Sequence, residues 1–319
     1  MVPKGTRQRR HRRRTQQGAT ITPDIASLTL PDGGIHTVDS DAEALSWCVR
    51  LARTHYENFP VASYLLPARM RTPISVVYAF ARIADDIGDE PWLLNNVIAD
   101  EGARLRGLAL MDAIADSPAD FPHHPIARAL ATLHAFPSPY APSNAANSVH
   151  SSMHMYTAPL KRLTAAFRSD IHFVSPNGWH EVHAYCNNSA NPIGELVLLT
   201  SGVTITPEML LQSNSICTGL QIINFLQDLS IDLPRGRRYL PCEHINGSCI
   251  AEACTIAESH LQQGSPLTRN KALPWRLRQE LALIVAGGTS MLDHCQRMGT
   301  TLLRTRPHLN WRDYVCMLL

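Results

Sequence analysis

Two short acidic stretches decide the fold: Arg82–Glu90, which reads RIADDIGDE, and Gln221–Asp232, which reads QIINFLQDLSID. Each contains the pattern Asp-x-x-x-Asp, and the four aspartates are Asp85, Asp89, Asp228 and Asp232. Residues four apart on a helix lie on the same face, so each pair would present two carboxylates together. An apolar run precedes each pair. The pattern therefore predicts two buried helices, one in each half of the chain, that face each other across a shared site.

Paired carboxylates of this kind suit a divalent cation. Mg²⁺ typically binds one or two carboxylates, keeps several waters and takes its remaining ligands from substrate phosphate. Either pair alone would more often be a solvated helix face, so the prediction depends on the two occurring together. Asn224 lies one turn before Asp228 and adds a neutral oxygen. We expect several Mg²⁺ ions, with the ligands Asp85, Asp89, Asn224, Asp228 and Asp232.

Basic and polar side chains near the acids are candidates for binding a diphosphate. Arg82 shares the face of Asp85, and its planar guanidinium suits phosphate; the alternative is an ion pair with Asp86 or Asp89. The turn after Pro234 would be an ordinary exposed loop if it stood alone. The predicted substrate-binding residues are Glu57, Asn58, Arg82, Gln221, Arg235, Arg237, Arg238 and Tyr239. Glu57 and Asn58 could equally cap the following helix.

Several ordered strings resemble the squalene/phytoene synthase family over about residues 42–310. They are His55–Ser63 (HYENFPVAS), Tyr78–Arg82 (YAFAR), Ala84–Ile87 (ADDI), Ser189–Gly194 (SANPIG) and Gly236–Pro241 (GRRYLP). The ENFPVAS and SANPIG strings are similar to one branch in particular, the bacterial hydroxysqualene synthases. Within the first acidic pair, Gly88 departs from these relatives, which more often have Ala there.

The resemblance implies an all-α fold: a single-domain, class I isoprenoid synthase-like helical bundle around a central cavity. In that family Tyr185 would project into the cavity, although a core tyrosine with a satisfied hydroxyl is an equal alternative. The aromatic faces of Tyr78, Phe80 and Tyr185 would stabilise a cation. We therefore predict Tyr78, Phe80, Arg82 and Tyr185 as catalytic residues.

The implied reaction is the Mg²⁺-dependent conversion of presqualene diphosphate and water to hydroxysqualene and diphosphate, with no NADPH expected. One alternative is head-to-head condensation of two farnesyl diphosphates to presqualene diphosphate or squalene, or a phytoene synthase-type condensation. Another is an inactive scaffold subunit of a squalene-forming complex. The presence of all four aspartates argues against the scaffold.

The chain divides into an arm, a linker and one helical domain. Residues 1–40 are expected to be a disordered basic arm and linker, because Arg7–Arg14 is a like-charge block. A solvated tail is preferred there over attraction to anionic lipid. Residues 41–319 are predicted to form the all-helical isoprenoid synthase domain, with Ser40 as a cap. Residues 136–159, rich in Ser and Pro, are predicted to be a surface insertion.

Composition limits the partners. Seven of the 29 basic residues lie in residues 1–18, which contain no acid, so the body has more acids than bases and no nucleic-acid partner is expected. Eight cysteines show no C-x-x-C pair and no signal peptide precedes them, which predicts free thiols in a reducing cytoplasm. Contact with the inner face of the membrane and with pathway enzymes is left open.

Helix boundaries are also predicted. Pro67 and Pro73 should bracket a turn before the first acidic helix, and residues 92–135 should form two helices split near Ser117–Pro118. One helix is expected from Trp179 through residue 199. Another should run unbroken through Gln221–Asp232 as far as Pro234.

Overall fold

The structure is a computed structural model, and it describes residues 37–54, 66–89, 93–94, 97–98, 100–134 and 148–308. The helices in these residues are α1 (Asp41–Thr54), α2 (Ala68–Asp89), α3 (Glu101–Asp116), α4 (Pro125–His134), α5 (Ser148–Ile171), α6 (Trp179–Ser189), α7 (Asn191–Thr200), α8 (Pro207–Gln227), α9 (Leu229–Asp232), α10 (Gly247–Gly264) and α11 (Trp275–Met298). Short 3₁₀ turns lie at Pro118–Asp120, Leu233–Arg235, Ser265–Arg269 and Gly299–Leu303. The predicted all-α bundle is confirmed.

Two hydrophobic clusters hold the bundle together. The larger one surrounds α2, whose Phe80, Ile83 and Ile87 are fully buried. The smaller one lies between α8, α10 and α11. Gly219 allows α8 to approach α10 closely, because a Cβ there would lie 3.1 Å from the carbonyl oxygen of Ala257. Interiors at this density leave little room for extra atoms, so the helix positions are tightly set.

The start of the first acidic helix differs from the prediction. The predicted cap at Ser40 is confirmed for α1, since its Oγ accepts a hydrogen bond from the backbone N–H of Glu43 at 3.2 Å. The turn predicted between Pro67 and Pro73 is wrong, because α2 already begins at Ala68 and Pro73 lies inside it. A proline beyond the first turn costs a helix stability, and burial of the neighbouring Ile74, Val76 and Val77 stabilises α2 despite that cost.

The second half of the predicted surface insertion is helical. Helix α5 begins at Ser148 and contains Pro159. Tyr156 and Leu160 are buried on one face of this helix, and the hydroxyl of Thr157 donates to the carbonyl of Ala115 at 2.9 Å. Burial of that face against α3 makes the segment helical despite its composition. Residues 136–147 of the proposed insertion, like residues 1–36 of the arm, lie outside the described residues.

The segment before α3 also differs from its helical prediction. Leu93–Leu94 and Val97–Ile98 form a two-stranded antiparallel pair, β1 and β2. The predicted split near Ser117–Pro118 is confirmed, because α3 ends at Asp116 and a 3₁₀ turn follows. In the part of the chain that the structure describes, no helix combines the length and apolar character needed to cross a bilayer.

One cysteine pair contradicts the prediction of free thiols. Cys242 and Cys249 form a disulfide, with their Cα atoms 6.3 Å apart. The chain turns back after Leu240 and enters α10 at Gly247, which brings the two cysteines together within the range a disulfide can bridge. The free cysteines within the described residues are Cys48, Cys186, Cys217, Cys254 and Cys295.

Candidate active site

A cavity of about 360 Å³ lies among α2, α5, α7, α8 and α11. Most of its wall is aliphatic, from side chains such as Val77, Leu163 and Ile193. Helix α2 contributes three polar side chains on one stripe, Tyr78, Arg82 and Asp85, and α8 contributes Gln221 and Asn224. The two helices that carry the acidic stretches therefore bring Asp85 and Asn224 to the wall of one cavity.

The first acidic stretch has two differently placed carboxylates. Asp85 lines the cavity and its side chain is 44% exposed, whereas the side chain of Asp86 is only 6% exposed. The guanidinium of Arg82 contacts Asp86 at 2.5 Å and lies 3.9 Å from Asp85. Burial lowers the pKa of Arg82, the carboxylates of Asp86 and Asp85 raise it, and the net change is upward. Arg82 thus makes the ion pair named as an alternative above, while still lining the cavity.

Three predicted site residues cannot be placed. The side chain of Asp89 lies outside the described residues, although its backbone ends α2. Glu57 and Asn58 lie outside the described residues entirely.

The predicted role of Phe80 as a cavity wall is not supported. Phe80 has no exposed surface and belongs to the core cluster, while Tyr78 lines the cavity. Residues two apart on a helix point about 200° apart around its axis, so these two rings cannot face the same space.

The second acidic stretch stands on a broken helix, which corrects the prediction of one continuous stripe. Helix α8 ends at Gln227, Asp228 serves as its cap, and the short α9 ends at Asp232. The backbone N–H of Asp232 still donates to the carbonyl of Asp228 at 2.8 Å, which keeps the two residues one turn apart. The carboxylate of Asp228 contacts Nε of Arg306 at 2.6 Å.

The electrostatics of this pair favour a cation. Burial raises the pKa of Asp228, and the charge of Arg306 only partly offsets that rise. Burial and then the negative charge of Asp228 raise the pKa of Asp232 to about 6. Two half-buried carboxylates that repel each other are stabilised when a positive charge binds between them. The oxygen donors present therefore fit a hard divalent ion such as Mg²⁺.

Within the described residues, the side chains as they stand form no complete metal site. Among the residues that the structure describes, no three His, Cys, Asp or Glu side chains are grouped closely enough to hold an ion. That grouping is assessed without the side chain of Asp89.

The basic turn after Pro234 contains side chains with different surroundings. Gly236 adopts a left-handed φ of 78°, and the backbone N–H of Arg237 donates to the carbonyl of Asp232 at 3.0 Å. The positive charge of Arg235 lowers the pKa of both Asp228 and Asp232, so it lies near the second pair. Arg238 instead donates to the carbonyls of Leu240 and Cys242, at 2.9 and 2.5 Å, and so holds the turn together.

Tyr185 occupies a polar and aromatic cluster beside the cavity. Its ring centroid lies 5.9 Å from that of Phe225 and 5.6 Å from that of Tyr239, and these two rings stack at 4.5 Å. Its hydroxyl donates to Oδ2 of Asp170 at 2.8 Å. Burial is the largest cause of the raised pKa of Tyr185 and of Asp232, and the negative charge of Asp85 adds to the first rise and that of Asp170 to the second. Both acidic stretches therefore lie within electrostatic range of this cluster.

Two residues of the site were missed from the sequence: Asp170 and Phe225. The sequence suggested Arg306 only as a residue at the cavity mouth, without its contact to Asp228. The sequence contains a signal for Asp170, because this residue lies at helical spacing from the buried Leu163 and Phe167. A charged residue on an apolar stripe of a helix is unusual and points to a specific role. No local pattern could indicate the contact between Arg306 and Asp228, because 78 residues of the chain separate the two.

Comparison with known proteins agrees with this architecture. The sequence profile of the family described as squalene/phytoene synthase matches residues 52–313. A hydroxysqualene synthase from Rhodopseudomonas palustris is 33% identical over 224 residues, which are 68% of this chain and 65% of the relative. One from Sinorhizobium fredii is 28% identical over 280 residues, 80% of this chain and 84% of the relative. The match thus spans just under two thirds of the first relative's length.

A solved structure shares the fold. The squalene synthase HpnC from Alicyclobacillus acidocaldarius superposes with a TM-score of 0.66 at 28% identity, over 82% of this chain and 97% of that one. Together with the profile match over residues 52–313, this likeness shows that the chain belongs to the squalene/phytoene synthase family.

Proposed function

We propose that this protein converts presqualene diphosphate and water to hydroxysqualene and diphosphate. The observation that carries the proposal is a cavity whose wall is mainly aliphatic and also includes the charged side chains of Arg82, Asp85 and Glu280. Along α2 the cavity wall runs from Ile74 to Asp85, which is roughly 16 Å at the helical rise. That shape and chemistry suit a substrate with a long hydrocarbon part and a charged head.

Magnesium is part of the proposal. Asp85, Asp89, Asn224, Asp228 and Asp232 would hold the ions, since all five side chains offer oxygen. When bound, Mg²⁺ would neutralise the charge that develops on the departing diphosphate. The guanidinium of Arg82 and the side chain of Gln221 both line the cavity and would orient the diphosphate.

The chain's own residues would handle the carbocation. Tyr78 and Tyr185 line the cavity and would present aromatic faces, which stabilise positive charge. The aliphatic wall would exclude water from most of the hydrocarbon, so that the cation rearranges before it reacts with water. No reductant takes part in this reaction.

The relatives favour this reaction over condensation, because those described above carry the name hydroxysqualene synthase. A second candidate is head-to-head condensation of farnesyl diphosphate, which the name of the Alicyclobacillus squalene synthase supports. The two reactions differ in their substrate, which is presqualene diphosphate in the first and farnesyl diphosphate in the second.

To test the proposal, the purified full-length protein is incubated with Mg²⁺ and either presqualene diphosphate or farnesyl diphosphate, without NADPH. The products are then identified by mass spectrometry. We expect hydroxysqualene from presqualene diphosphate and no consumption of farnesyl diphosphate. Asp116→Asn, on an exposed surface pair with Lys161, is the control that should behave like the wild type. Consumption of farnesyl diphosphate alone would replace the proposal with the condensation.

A further inference from the structure

We infer that Asp170 accepts the proton released when water adds to the carbocation, and that it does so through the hydroxyl of Tyr185. The inference rests on the proposed function, because only a reaction that ends in an alcohol releases a proton from water. It assigns a role to a buried carboxylate that neither acidic stretch contains.

The position of Asp170 supports this role. Asp170 lies in α5 with 7% of its surface exposed, and its Oδ2 accepts the hydroxyl of Tyr185 at 2.8 Å. Tyr185 in turn lines the cavity proposed to hold the substrate. In this proposal the Tyr185 hydroxyl, which is hydrogen-bonded to the carboxylate of Asp170, also meets the substrate, so it can pass on a proton without net movement of either side chain.

A second cavity supplies a route for water. It has a volume of about 250 Å³ and is lined by residues 173–177, Glu181, Val182, Tyr185, Phe225 and Tyr239. Tyr185 belongs to the walls of both cavities. Polar side chains of Ser175, Asn177 and Glu181 line the second cavity, whereas most residues that line the first are aliphatic. Because Tyr185 is shared, water that crosses between the two cavities would pass this residue.

The chemistry balances. The oxygen of water forms a bond to the cationic carbon and gives a protonated alcohol. In an apolar cavity this species would lose water again unless a proton left it. Tyr185 takes that proton on its oxygen as it gives its own proton to the carboxylate of Asp170. One cation, one water and one carboxylate thus become one neutral alcohol and one carboxylic acid, which later loses its proton to solvent.

The acidity of the two groups agrees with the relay. Burial raises the pKa of Asp170 to about 6, although the Tyr185 and Tyr239 hydroxyls oppose the rise. A carboxylate of this kind is ionised at neutral pH yet is a better proton acceptor than an exposed one. Burial and the Asp170 charge hold the pKa of Tyr185 well above its usual value, so the tyrosine stays protonated and transfers rather than stores the proton.

The experiment measures which products form from presqualene diphosphate in ¹⁸O-labelled water. Asp170→Asn keeps an oxygen that accepts the Tyr185 hydroxyl but accepts no proton at this pH; Tyr185→Phe keeps the aromatic face but removes the relay. In both variants we expect the share of ¹⁸O-hydroxysqualene among the products to fall at least tenfold. Hydrocarbons formed by loss of a C–H proton should replace it. Asp116→Asn is the control, and thermal unfolding verifies that each variant is folded.

The outcomes separate the relay from other roles. If Asp170→Asn keeps the wild-type share of hydroxysqualene while Asp170→Ala loses it, Asp170 only positions Tyr185 and the inference is overturned. A wild-type share in Tyr185→Phe would overturn it as well. If the wild-type protein itself makes no hydroxysqualene, the proposed function fails and the relay fails with it.

Discussion

The two acidic stretches share the spacing Asp-x-x-x-Asp but stand on different backbones. Asp85 lies within the uninterrupted α2, on a stripe that also carries Tyr78 and Arg82. Asp228 lies at a break between α8 and α9, and its carboxylate is held by Arg306. The same local pattern therefore lies on one continuous helix in the first stretch and across a helix break in the second.

The difference follows from what each stretch packs against. Helix α2 runs through the larger core cluster, where Ile83, Ala84 and Ile87 are fully buried. Beyond Asp228 only Leu229 of α9 is buried, and a 3₁₀ turn with Pro234 follows. Because α9 has fewer buried apolar side chains, we expect its position to depend on contacts with the basic turn and with the segment around Arg306. We expect the first stretch to be preformed and the second to adjust when substrate binds.

The largest expected effect is on catalysis and tests whether the two stretches are equivalent. Asp85→Asn and Asp228→Asn each remove one negative charge from the proposed metal sites. Each should lower kcat/KM for presqualene diphosphate by roughly 100-fold or more, about 2.7 kcal/mol, as expected for loss of one group that stabilises the transition state. Steady-state kinetics at saturating Mg²⁺ would measure this.

Asp116→Asn is a suitable control for those kinetics, since Asp116 pairs with Lys161 at an exposed position and does not line the cavity. If Asp228→Asn keeps the kcat/KM of the wild type while Asp85→Asn loses it, the second stretch does not take part in the reaction.

A smaller effect, on stability, tests how tightly each helix is packed. A Cβ at Gly88 would lie 2.7 Å from Cβ of Phe167 and 2.8 Å from its carbonyl oxygen. Gly88→Ala should therefore lower the free energy of unfolding by about 1–3 kcal/mol, despite the better helix propensity of Ala. At Gly219 on α8 the nearest atoms lie 3.1 Å away, so Gly219→Ala should cost less.

Urea denaturation of the two glycine variants gives this comparison directly. If Gly219→Ala lowers the free energy of unfolding as much as Gly88→Ala does, or more, this would contradict the view that α2 is the more tightly packed helix. The close contact at Gly88 also gives a physical reason for glycine at a position where the resembled family more often has alanine.

The smallest expected effect concerns the ion pair on the second stretch. In Arg306→Gln the carboxylate of Asp228 loses its positively charged partner, so a cation no longer has to displace a guanidinium. We expect Mg²⁺ to bind the substrate-free protein about threefold more tightly, since partly exposed ion pairs are worth only about 0.2–1 kcal/mol. Isothermal titration calorimetry would measure this, with Arg304→Gln as the control at an exposed neighbouring position. Weaker binding in Arg306→Gln would show that Arg306 supports the metal site.

Much of the site could be predicted from local spacing. The helical period places Tyr78, Arg82 and Asp85 on one stripe, and the structure has them on one cavity wall. The same helical period places Phe80 off this stripe. Phe80 was predicted as a catalytic residue because it is aromatic, and it is buried in the core. Prolines misled the prediction at Pro73 and Pro159, since each lies inside a helix that tertiary packing stabilises.

The sequence by itself determined the helical class, the acidic stripe of α2 and the apolar helix that leads to Asp228, because these depend on residues one or two turns apart. Only the tertiary structure decided the contacts between distant segments. The hydroxyl of Tyr185 meets Asp170 because α5 packs against α6, and Arg306 reaches Asp228 because the chain returns after α11. Such pairs form when helices bury their apolar faces together, and no local spacing encodes which polar groups that burial brings into contact.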